Sequence, residues 1–148
     1  MKSMGGGWGL LGGLLVLSNL WSAALACEVE SGLDLSYRAD QAAIGELWVR
    51  VSCAPGEAPY HLRWVGVTQA ADPSGNLQVK LRGQNGADGL EATVLHIGPT
   101  LGSLSGAGAA LSGSRYLRFG VQAAAGQWIP AGSYRLPFTV LLEPLEGP

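Results

Sequence analysis

The chain is 148 residues long, 47% hydrophobic and only 14% charged, with nine cationic against eleven acidic side chains. Such a length holds one compact domain, and scattered arginines in a near-neutral chain exclude the basic stripe that a nucleic-acid binder needs. Beyond the N-terminus no apolar run approaches the ~18 to 20 residues that cross a bilayer as a helix, so no membrane span is expected.

Lys2, the apolar run over 10–17 (LLGGLLVL) and Ala24-Leu25-Ala26 follow the charged, apolar, small-x-small order of a secretory signal peptide. Residues 1–26 are therefore expected to be removed, leaving a secreted domain over 27–148 that begins at Cys27. Export places Cys27 and Cys53, the two cysteines of the chain, where disulfides persist, and one pairing is open to them. On the chain-entropy model that bridge contributes ~3 kcal/mol. The alternative is a lipid-anchored Cys27 with a free Cys53; against it stands Ala24, where a lipobox carries a larger aliphatic residue.

Period-two alternation recurs along 27–148 and sustained helical spacing does not, so the expected class is all-β. Residues 33–37 (LDLSY) place Leu33, Leu35 and Tyr37 on one face. Over 46–53 (ELWVRVSC), Leu47, Val49, Val51 and Cys53 face inward, Trp48 and Arg50 outward. A turn at 54–59 leads into 60–69 (YHLRWVGVTQ), apolar on both sides and so expected to be covered on two faces. After a turn at 72–76, Leu77, Val79 and Leu81 alternate inward over 77–82, and a turn at 84–89 precedes a strand over 90–97. The uncharged stretch 98–114, rich in Gly, Ala and Ser, is expected to be a long flexible loop, and 115–122 (RYLRFGVQ) resumes the β pattern.

The turn Ala131-Gly132 opens a final strand over 133–143 (SYRLPFTVLLE), with Tyr134, Leu136, Phe138, Val140 and Leu142 on one face. Pro137 lacks the N–H that a central strand needs, which places this strand at a sheet edge. Five residues with two prolines follow and are too few for another strand. Seven strands at this spacing predict an immunoglobulin-like β-sandwich with one disulfide, incomplete by about one strand.

Cys27-Glu28-Val29, LDLSYRAD over 33–40, LWVRVSC over 47–53 and above all GQWIPAGSYRLPFTV over 126–140 resemble the spore coat protein U family, which includes the secreted pilin subunits of archaic chaperone-usher systems. The resemblance covers both ends of 27–148 and leaves 72–114 matched in β character alone. It implies an incomplete sandwich whose missing strand is donated by a periplasmic assembly chaperone, then by a neighbouring subunit after passage through an usher, at the cell surface or in an extracellular fibre. Tyr134, Leu136, Phe138, Val140 and Leu142 would form the face of the acceptor groove. Cleavage after Ala26 would leave no donor segment ahead of Cys27, which would suit a tip or terminating subunit or a member of the family that is not polymerised; an earlier cleavage, against which the Ala-Leu-Ala site stands, would restore one.

No chemistry-bearing constellation competes with this structural role. His61 and His96 stand without a cysteine or carboxylate set at metal-ligand spacing, so no metal is expected. There is no G-x-S-x-G elbow and no P-loop, so no catalytic residue, cofactor or enzymatic activity is expected. Trp48, Trp64 and Trp128 offer a second reading, a self-sufficient carbohydrate-binding or adhesin module, with Trp48 and Trp128 as its surface.

Overall fold

A computed structural model describes residues 27–67, 69–83, 89–103 and 108–145. The expected signal peptide lies outside these residues, as does most of the turn at 84–89. Among the described residues the chain is all-β, with no helix: β1 (Cys27–Asp34), β2 (Ser36–Tyr37), β3 (Ala43–Cys53), β4 (Tyr60–Val65), β5 (Leu77–Gly83), β6 (Gly89–Val94), β7 (Arg115–Ala123), β8 (Gly132–Arg135) and β9 (Thr139–Pro144). A seven-stranded sheet runs in the order β1-β3-β7-β6-β5-β8-β2, and β4 and β9 form a second, two-stranded sheet. All pairings between strands are antiparallel.

Alternation does the folding work in the long strands. On β3, Leu47, Val49 and Val51 are buried while Arg50 and Ser52 face solvent; on β5, Leu77, Val79 and Leu81 are buried and Gln78, Lys80 and Arg82 exposed. β4 supplies Tyr60, Leu62 and Trp64 from the other sheet, so a single apolar core lies between the two layers in a sandwich-like arrangement. No helix among the described residues is long and apolar enough to cross a membrane.

Five expected elements differ from the structure, the last of them the final strand. The segment 33–37 is not one strand: Leu35 separates β1 from β2, and β1 reaches back to Cys27 because all eight of its residues pair with β3, from Cys27↔Cys53 to Asp34↔Glu46. β4 ends at Val65 and alternates buried with half-buried residues, so it is covered on one face rather than two. The strand expected over 90–97 stops at Val94, where Leu95 and His96 turn; His96 takes a positive φ of 56°, and its N–H donates to Asn76 Oδ1. The described parts of 98–114 are docked: Leu101 is buried, and the backbones of Gly102 and Leu111 hydrogen-bond to Leu62, Trp64 and Tyr60, covering the edge of β4 that β9 leaves free.

The last expected strand is two. Leu136, Pro137 and Phe138 break it, and its halves join different sheets, β8 pairing with β2 and β5, β9 with β4. Pro137, which has no N–H to give to a ladder, stands at that switch. The segment before it is tied by side chains. Gln127 exchanges two bonds with the Glu91 backbone and donates to Ala124 O, while Tyr37 O–H donates to Gln127 O (3.0 Å) and accepts from Gln127 N–H (2.8 Å). The Tyr37 and Tyr134 rings meet edge to face, and Tyr134 O–H donates to Pro130 O.

Candidate strand-acceptor cleft

Besides the short β2 at the far end of the large sheet, this topology leaves two strand edges over among the described residues. β1 has β3 on one side, β9 has β4 on one side, and neither pairs on the other among the described residues. The two free edges face each other, with Cα atoms of β1 and β9 within 8 Å. Where the second half of β1 meets the β8–β9 switch opens a cleft of about 260 Å³ lined by Ser31, Gly32 and Leu33 of β1, Tyr134 and Arg135 of β8, Leu136 and Phe138 of the switch, and Thr139 at the start of β9.

The strands run in opposite senses along the cleft. Its lining joins the second half of β1 to the start of β9. At the other end Pro144 pairs with Tyr60, whose O–H donates to Gly113 O, while Ser114 Oγ accepts from Cys53 N–H. Cys53 is bonded to Cys27, so the disulfide fastens the free end of the β1 wall to β3.

Of the residues expected to form a groove face, Tyr134, Leu136 and Phe138 line the cleft. Val140 is buried in the core and Leu142 is half-buried against it, beyond the lining. The β1 wall has no counterpart in the sequence expectation, because Ser31 and Gly32 carry no apolar signal.

The tryptophans are dispersed. Trp64 is buried, with no partner for its indole N–H among the described residues, and Trp128 is fully exposed on the β7–β8 connection. Trp48 is half-buried on the outer face of β3, where its ring lies across Gly32 of β1. Arg50 reaches both its ring and that of Tyr116, at 5.8 and 5.5 Å from the centroids. On the same face the Arg118 guanidinium donates to Glu46 at 2.7 Å and holds its carboxyl below the usual carboxylate range. His61 and His96 sit on β4 and in the turn after β6, and no group of three metal-ligating side chains occurs among the described residues.

No protein-family model, no curated protein and no solved structure matched the chain. The functional reading therefore rests on the residues and the cleft.

Proposed function

We propose that the chain is an exported structural subunit of a surface fibre or coat, an immunoglobulin-like sandwich lacking one strand, that works by accepting a donated β-strand. The observation that carries this is the pair of free edges, β1 and β9, close to each other, with a cleft whose lining includes Leu33, Leu136 and Phe138 opening at the end where β1 meets the β8–β9 switch. A strand in that gap satisfies unpaired backbone groups on both walls and covers Leu33 and Leu136, which are only half-buried. Full burial of such a side chain contributes ~1.5 to 3 kcal/mol, from which the cost of association is subtracted.

Because β1 and β9 run oppositely, the incoming strand is antiparallel to one and parallel to the other. A strand paired on both sides also needs its neighbours about 9 to 10 Å apart, twice the ladder spacing. Strand addition therefore parts β1 from β9, and the unoccupied cleft is narrower than the filled one. The donor is an assembly chaperone during export and a neighbouring subunit afterwards.

Melting and light scattering of the exported protein test this. Alone it melts at low temperature and associates when concentrated; with a donor strand appended through a flexible linker it stays monomeric and melts higher. A lone monomer that refolds cooperatively and gains nothing from any appended strand contradicts the proposal. The fully exposed Trp128 indole favours a second reading as a glycan-binding module, for which glycan binding lost in Trp128→Ala is the test.

A further inference from the structure

The solvent side of the β1 wall shows what kind of strand the cleft takes. Val29, Ser31 and Leu33 face the core, so Glu28, Glu30, Gly32 and Asp34 face out along the free edge. Glu28 and Asp34 have no ion-pair partner among the described residues, and Glu30 has a distant one, Arg50 at 4.0 Å. At the middle of this row Gly32 leaves a gap, and the Trp48 indole of β3 fills it. A Cβ at Gly32 would stand 2.4 Å from the Trp48 ring, so the ring reaches across β1 toward the open edge. The Arg50 guanidinium stands 5.8 Å from the centroid of that ring and 5.5 Å from that of Tyr116.

A side chain arriving on the outer face beside Gly32 meets an aromatic rim with carboxylates two residues away on either hand. Cross-strand neighbours of opposite charge attract and like charges repel, and a cation is drawn to an indole face. Resting on the strand-acceptor reading above, we propose that the donated strand carries an arginine or lysine on its solvent-facing side opposite Gly32, over Trp48 and between Glu30 and Asp34. Arg135 of β8 lines the cleft, and Arg50 of β3 already stands by Trp48 and 4.0 Å from Glu30, so the uncompensated pull comes mainly from Asp34. The same row disfavours a second copy as occupant, because two β1 edges side by side would set carboxylates against carboxylates.

The test uses nine-residue peptides alternating valine and serine, in which each solvent-facing serine in turn becomes arginine or glutamate, titrated into the exported protein by fluorescence anisotropy. At one position the arginine peptide is expected to bind about tenfold tighter than its glutamate counterpart, with the difference shrinking at high salt. Glu30→Gln with Asp34→Asn should reduce that ratio to a few-fold and leave the all-serine peptide unchanged; Trp48→Leu should reduce the arginine-over-serine preference. Equal binding of arginine and glutamate peptides at every position overturns the charge preference while strand acceptance stands. Binding of none overturns both, and a dimer that competes with the peptides makes a second copy the occupant.

Discussion

Gly45 and Gly32 both stand where a side chain will not fit, for different reasons. At Gly45 an added Cβ would lie 2.3 Å from the Asp34 carbonyl oxygen and 2.6 Å from Leu35 Cδ1, so backbone must move; at Gly32 it meets the far end of the half-exposed Trp48 ring, which can swing away. Gly45→Ala is expected to cost about 1 to 3 kcal/mol by chemical denaturation and Gly32→Ala clearly less. Gln127→Ala removes the side chain that pairs with the Glu91 backbone and should cost about 0.5 to 1.5 kcal/mol in the same measurement, since water can reach the partners it leaves. The Glu46 carboxyl is depressed in the folded chain by its hydrogen bond from Arg118. Its contribution to stability is thus complete above the ordinary value of 4.5 and lost as pH falls through the lower folded value. A melting series from neutral to acid pH should show this loss in the wild type and lack it in Glu46→Gln.

At the level of elements, the sequence shows alternation and hides pairing. β3, β5 and β7 are legible because each carries apolar residues at every second position. β1 is not, since between Cys27 and Leu33 its inward positions hold only Val29 and Ser31; it is a strand because β3 pairs with all of it. The break at 136–138 is invisible for the opposite reason. Tyr134, Leu136, Phe138, Val140 and Leu142 keep one period through the switch, because β8 and β9 both face the same core. The docking of Gly102 on β4 is a backbone bond with no side-chain signature. Half of the cleft was therefore readable, the apolar β8–β9 wall, and the β1 wall was not. The disulfide belongs to this scale too. Replacing Cys27 and Cys53 by serine should lower stability by about 3 kcal/mol and raise hydrogen exchange first at the Cys27 end of β1.

For the whole molecule, a seven-stranded and a two-stranded sheet share one core yet leave an edge each exposed to the other. Exposed edges are usually blunted, and the outer side of β1 carries Glu28, Glu30 and Asp34 beside its open edge. Hydrogen exchange of residues 27–148, followed residue by residue with and without a bound donor peptide, decides whether the two edges take a strand. Strand acceptance predicts that the alternate amides of β1 and β9 that point away from β3 and β4 exchange quickly in the free protein and gain protection together when the peptide binds, with β4 and β5 unchanged. Edges already protected in the free protein, or a bound peptide that protects neither, would contradict it.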